Sequence, residues 1–227
     1  MRAALESLLR SRKLDVTLTV PGVDTPPDRF AATGDPDLDR ALGGGLRRGH
    51  LSEITGTPST GRSSMAVRAL AAAADRGEAV ALADACDTFD PVTADRHGLR
   101  LERLLWVRPS LSTSAPAEVD ATRALKAFSL ILQAGGFGLA VLDLADVPLA
   151  VLRRCPWYRT SATWMRLARI IEGSDTVALI VASEHITRSS GGVTITLDVA
   201  AVRWQGSTPR ARLFTGVTAT PRVVSAR

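Results

Sequence analysis

Residues 56–64 constrain this chain more than any other stretch. Gly56-Thr-Pro-Ser-Thr-Gly61-Arg62-Ser63-Ser64 follows an apolar run, residues 49–55, and precedes an alanine-rich run from Ser63 to Asp75. A glycine-bounded loop between a strand and a helix lets backbone N–H groups wrap a phosphate, and the helix N-terminus adds its dipole. In such loops a lysine reaches the terminal phosphates, and a Ser or Thr holds magnesium. Here Arg62 stands in the lysine position, followed by Ser63 and Ser64. Arginine is longer, planar and forked, so it is no simple stand-in. The spacing speaks strongly for a fold and weakly for an activity.

The pattern around the loop agrees with that fold. Asp35 is placed to cap a helix opening at Pro36, and Gly43-Gly44-Gly45 stops it. Apolar runs at 79–83, 104–107, 139–143 and 176–182 read as strands. Helices are predicted over about 118–134, with Ala121, Leu125, Phe128 and Leu132 on one face, and over 161–172, with Trp164, Leu167, Ala168 and Ile171 aligned. Strands alternating with helices imply a mostly parallel α/β sheet covered on both faces. Residues 193–200 alternate with a period of two. A turn at 205–209 and a run at 211–217 then suggest an antiparallel C-terminal hairpin. At the other end, 3–13 reads as a helix with Leu5, Leu8 and Leu9 in one stripe. Residues 15–20 read as a strand, and Pro21, Gly22, Pro26 and Pro27 as a linker. The expected division is an N-terminal arm and linker at 1–32, a core at 33–204, and a hairpin strand with a basic tail at 205–227. The arm either packs on its own core or docks on a neighbour.

Composition narrows the partners. The chain has 227 residues, 45% hydrophobic and 22% charged, which suits one globular domain. The net charge of +5 favours an anionic partner, nucleic acid first. Lysine stands only at Lys13 and Lys126, so the basic residues are almost all arginine. Cys86 and Cys155 show no metal-ligand spacing, so no metal is expected, and the simple setting is reduced and cytoplasmic, at the nucleoid if DNA is the partner. No apolar run is long enough for a signal peptide or a membrane span. Between Val147 and Ile171 stand Arg153, Arg154, Arg159, Arg166 and Arg169 with no acid, beside Trp157 and Tyr158. That cluster reads either as a surface for DNA or an acidic partner, its aromatics stacking on bases, or as a solvated face over core aromatics. After Asp198 the chain carries Arg203, Arg210, Arg212, Arg222 and Arg227 and no acid, a basic tail suited to a partner or to nucleic acid.

Residues 33–64, TGDPDLDRALGGGLRRGHLSEITGTPSTGRSS, resemble the start of a bacterial RecA core. ADACDTFDP at 83–91 and HGLRLERLLWVRP at 97–109 continue the likeness in order. LAVLD at 139–143 is similar to the Walker B strand, with Asp143 as its acid, and ALIVASEH at 178–185 to the strand carrying the nucleotide sensor. The resemblance implies DNA-contacting loops after the Walker B strand, where Arg153, Arg154 and Arg159 fall, and at 185–192, where Arg188 falls. The large C-terminal domain of bacterial RecA has no counterpart here.

Three departures bear on hydrolysis. The family's water-activating acid corresponds to Cys86, its glutamine sensor to Glu184, and its lysine to Arg62. A thiol is a poor base for aligning water, and a carboxylate facing a phosphate repels it. Asp87 beside Cys86 is expected to point to the other face of an extended segment. Ser63 and Asp143 persist and leave weak magnesium-nucleotide binding open. The simpler reading is that Ser63 caps its helix and Asp143 holds its loop, with no cofactor.

A core of this length with an altered ATP site and short DNA loops resembles the ImuA family. That resemblance implies a non-hydrolysing accessory protein of damage-induced translesion synthesis. It implies an ImuB-type polymerase-like subunit as partner, with RecA and DNA as further candidates and no membrane role. Leu5, Leu8 and Leu9 of the arm and Arg210, Arg212 and Arg222 of the tail are the candidate partner contacts. Two other readings stand beside it: a divergent DNA-stimulated ATPase of the RecA or RadA type, and a regulator capping RecA filaments through the arm.

Overall fold

The computed structural model describes residues 29–109, 116–158, 160–187, 191–208 and 210–226. Leu5, Leu8 and Leu9 of the arm, and Arg159 and Arg188, lie outside them. The described chain opens with a small antiparallel pair, β1 (Phe30–Ala31) and β2 (Leu46–Arg47), flanking helix α1 (Pro36–Ala41). The packed part therefore reaches back at least to Phe30, ahead of the expected start at Thr33. Asp35 caps α1 as its position requires: its carboxylate accepts from the N–H groups of Asp37 and Leu38, and Pro36 follows it.

A seven-stranded sheet forms the centre. Its strands are β3 (Leu51–Gly56), β4 (Val80–Asp84), β5 (Leu104–Val107), β6 (Leu139–Asp143), β7 (Val177–Ala182), β8 (Gly191–Gln205) and β9 (Leu213–Ala226). The spatial order is β5-β4-β6-β7-β3-β8-β9. All neighbours run parallel except β8 and β9. The apolar runs alternate across this sheet. Val80 and Leu82, Leu139 and Val141, and Val177, Leu179 and Val181 pack beneath α2 (Arg62–Asp75). Ala81 and Ala83, Ala140 and Leu142, and Ala178, Ile180 and Ala182 pack beneath α4 (Ala117–Ala134) and α6 (Ser161–Ile171). Small residues on this second face let Phe128 and Trp164 settle close to the strands, both almost fully buried. Two short helices, α3 (Pro91–Arg96) and α5 (Leu149–Leu152), lie in the connections after β4 and β6.

Parallel strands put their C-terminal ends on one edge, where ligands of such sheets bind. The loop after β3, the turn after β4, Asp143 at the end of β6 and Ser183-Glu184 after β7 share that edge. The tail is a departure from expectation. Residues 205–227 do not trail off: β8 extends to Gln205, and β9 returns from Leu213 to Ala226, paired with it in register. Arg222, expected in a loose tail, lies opposite Thr196 in that pairing, and Arg210 and Arg212 sit at the turn. Alternation was visible only to about residue 200 because both faces of the distal ribbon are exposed and impose no pattern.

The fully buried ring of Phe128 gives the fold its measurable anchor. Phe128→Ala is expected to destabilise the chain by about 3–5 kcal/mol through lost burial and the cavity left behind. Urea denaturation followed by circular dichroism checks this, and a cost below about 1 kcal/mol contradicts the packing described.

Candidate functional site

The phosphate loop is shaped by two glycines. A Cβ on Gly56 would stand 2.6 Å from Thr60 Oγ1 and 2.7 Å from the carbonyl oxygen of Leu197, so only glycine fits between the loop and β8. Gly61 has φ +90°, a left-handed value that favours glycine, and it caps α2 without any side-chain hydrogen bond. Thr60 is buried and donates to the carbonyl of Thr57 at 2.8 Å, closing the loop on itself. Ser63 and Ser64 are exposed on the first turn of α2.

Arg62 is the residue that sets the site apart. Its side chain is only 4% exposed. Nη2 lies 3.9 Å from Asp146 Oδ1, and Nη1 has no hydrogen-bond partner. A buried guanidinium with an orphaned nitrogen is costly unless a ligand satisfies it. It lines a cavity of about 720 Å³ with Gly61, Ser63, Ser64 and Asp146, closed on the far side by Arg203 and Phe214 of the C-terminal hairpin. An orphaned cation at a helix N-terminus with free amides suits a phosphate group. Ser63 and Asp143 line one neighbouring cavity of about 190 Å³. They are the residues placed to hold a magnesium ion beside a phosphate.

The acids on this edge form a second feature. Asp84 and Asp143 are register partners at the ends of β4 and β6. Asp84 is buried and accepts from the N–H groups of Cys86 (3.1 Å) and Phe89 (3.0 Å), which folds the turn after β4. Asp143 accepts from the N–H of Ala145 at 2.9 Å, which holds the loop after β6. Burial chiefly, with Asp84 and Asp146 adding repulsion, raises Asp143 to about 6. Cys86 sits in the same surroundings. Burial first, then the charges of Asp143, Asp146 and Asp84, push its thiol up to about 12. At neutral pH Cys86 is a protonated thiol and cannot accept a proton from water.

The neighbouring acids are occupied. Asp87, at φ +57°, accepts from Arg108 Nε and Nη2, both at 2.7 Å. Glu184 does not line the phosphate cavity. It accepts from the Tyr158 hydroxyl, and its other oxygen lies 3.5 Å from Arg153 Nη2, beside a separate cavity of about 520 Å³. The expectation of a carboxylate turned on the phosphate is thus corrected: two partners draw it away.

The arginine cluster changes meaning in the same way. Arg153 is paired with Glu184, and Arg154 with Glu118 at 2.5 Å. Both pairings neutralise charge that the sequence left open for DNA. Trp157 and Tyr158 are not presented to bases. Trp157 packs edge-on against Trp164 at 5.9 Å and donates from Nε1 to Thr122, and Tyr158 is buried. Apolar packing on α4 and α6 claims these rings, the blander of the two readings above. Sequence reasoning passed over Asp84, Asp146 and Phe214, and read Arg203 only as part of a basic tail. The first two end or follow apolar strands and were legible in principle; the hairpin residues reach the site only through tertiary folding.

A phosphate-binding loop at the C-terminal edge of a mostly parallel, doubly covered sheet defines the P-loop class of α/β proteins. Within it, the RecA N-terminal domain family matches residues 24–147, over half of the chain, and the chain belongs to that family. Protein RecA of Synechocystis sp. is 39% identical over 89 residues, covering 39% of this chain and 25% of that protein. Protein RecA of Chlorobaculum tepidum is 36% identical over 124 residues, covering 53% of this chain and 33% of that protein. The chain thus spans a quarter to a third of the length of these curated relatives. In structure it is similar to the RadB recombinase, with a TM-score of 0.54 at 18% identity over 75% of this chain and 84% of that one, a likeness of fold. Among the described residues no helix is long and apolar enough to cross a membrane.

Asp143 supplies a test by titration. Its value is raised from 3.8 to about 6, so the native state binds the extra proton between those limits. Stability from this group is full below about pH 4 and is lost as pH rises through about 6. Asp143→Asn keeps the acceptor for Ala145 and removes the charge. At pH 7 the variant is expected to melt about 2–4 °C higher than the natural chain, with the difference shrinking toward pH 4. Equal melting temperatures at both pH values contradict the assignment.

Proposed function

We propose that this chain is a RecA-like protein of DNA repair that keeps the P-loop fold as a binding scaffold and does not turn over ATP. Its place is in damage-induced translesion synthesis, where it holds an ImuB-type polymerase-like subunit, with RecA and DNA as further contacts. The relatives named above, Protein RecA and the RadB recombinase, support a role in recombination or repair. The finer role rests on the resemblance to the ImuA family.

One observation carries the non-hydrolysing reading. Where the family's acid should align water there is a thiol whose pKa lies near 12, and the two acids next considered for that task are engaged elsewhere, Asp87 by Arg108 and Glu184 by Tyr158 and Arg153. A nucleotide held by the loop and Arg62 then meets a protonated thiol where the family places its acid. Its role, where it binds, is structural. Magnesium, if it accompanied the phosphates, would be held by Ser63 and Asp143 and would supply charge neutralisation.

The second reading, a DNA-stimulated ATPase, is favoured by Arg62: its orphaned Nη1 suits a phosphate that the fold has otherwise kept room for. Phosphate release in the presence of single-stranded DNA separates the two. Turnover is expected at the background of a blank and unchanged by Ser63→Ala or Asp143→Ala. Robust turnover abolished by either substitution makes the enzyme reading right. For the partner, the purified chain is expected to retain an ImuB-type subunit on a column with or without ATP. Loss of that retention in both conditions removes the translesion role.

A further inference from the structure

The distal half of the C-terminal hairpin leaves the sheet. β3 supports β8 only as far as Leu197, so residues 198–220 continue as a two-stranded ribbon. Such a ribbon is marginal in water unless something else supports it. This one nevertheless exposes Val199, Val202, Trp204, Leu213 and Phe214. Trp204 and Phe214 are opposite one another in register, their rings 5.6 Å apart and edge to face, each more than half exposed. Single apolar residues on a surface need no explanation, but a contiguous exposed set marks an interaction site.

Charge says what kind of partner fits. Residues 199–226 carry Arg203, Arg210, Arg212 and Arg222 and no Asp or Glu. Among the described residues none of these four is ion-paired, whereas Arg153 and Arg154 are. The hairpin thus carries four arginines whose charge no acid of the described residues offsets by an ion pair. A second copy of the same ribbon is disfavoured by repulsion between two sets of four cations. Pro221, within the outer strand, further blunts edge pairing. Rings standing on a narrow ribbon beside arginines suit planar bases joined by phosphates.

We propose that the β8–β9 ribbon is a binding surface for single-stranded nucleic acid. Bases stack on Trp204 and Phe214, and Arg210 and Arg212 at the turn meet the phosphates. This site is distinct from the loops after β6 and β7 where the sequence placed DNA. It rests on the DNA contact proposed above and gives that contact a surface, and it holds whether or not the chain turns over ATP or holds a polymerase-like subunit.

The test uses the full chain and a fluorescein-labelled oligothymidylate, read by anisotropy over a salt series. Trp204→Ala with Phe214→Ala is expected to weaken binding at least about tenfold. Arg210→Ala with Arg212→Ala is expected to lower the salt slope by roughly 1.4, about 0.7 per lost phosphate contact on a single strand. Arg153→Ala with Arg154→Ala leaves the affinity in place. Trp204→Phe guards against a folding artefact: it keeps a ring for stacking, so the affinity holds while DNA-induced quenching of tryptophan emission disappears. The proposal is overturned by unchanged affinity in the Trp204/Phe214 variant, by no binding of the natural chain at low salt, or by quenching that survives Trp204→Phe. It is also overturned if the Trp204/Phe214 variant loses an ImuB-type partner while binding the oligonucleotide normally, which assigns the ribbon to protein contact.

Discussion

A single buried carboxylate ties the functional edge together. Glu53 lies in the middle of β3, directly before the phosphate loop, with no exposed surface. It accepts from His185 Nδ1, from the backbone N–H groups of Ile186 and Thr187 at 3.2 and 3.1 Å, and from the Thr194 hydroxyl at 3.0 Å. A lone carboxylate inside a sheet is strongly unfavourable, and removing its donors one by one leaves an uncompensated charge. So β3, the segment after β7 and the start of β8 are locked as one unit. The phosphate loop starts three residues after Glu53, and the hairpin starts from the segment that Glu53 holds.

The phosphate loop and the acids around it are held by different contacts. The loop keeps the backbone geometry that phosphate needs: Gly56 pressed against β8, Gly61 in a left-handed turn, and a cation aimed inward. The groups that would act on a bound phosphate have been turned to structural ends. Asp84 folds its own turn, Asp87 holds Arg108, and Glu184 joins Tyr158 to Arg153. Each pairing satisfies a carboxylate that would otherwise repel its neighbours on the same edge.

Much of the fold was legible because its signals are local. The strand at 139–143, the cap at Asp35, the stripe of Ala121, Leu125, Phe128 and Leu132, and the glycine stops all depend on neighbours in sequence. The site was only partly legible. Arg62 was found by its spacing within the loop, Cys86 and Asp143 through the resemblance to a RecA core, and the structure places all three on one edge. Glu184 was misread because its direction depends on Tyr158 and Arg153, which lie 26 and 31 residues away. Trp157 and Tyr158 were ambiguous because a ring beside arginines looks alike whether it faces solvent or core. The hairpin was underestimated, since a ribbon exposed on both faces has no burial period to read, and its closing of the phosphate cavity through Arg203 and Phe214 is a purely tertiary fact.

The thiol at Cys86 has one more effect. Peroxides and alkylating agents attack thiolates, and their selectivity follows how much of a cysteine is ionised. Held near 12, Cys86 is almost wholly un-ionised, and Cys155 is also raised, by burial. Both cysteines are therefore sluggish targets for oxidants and alkylating agents at neutral pH.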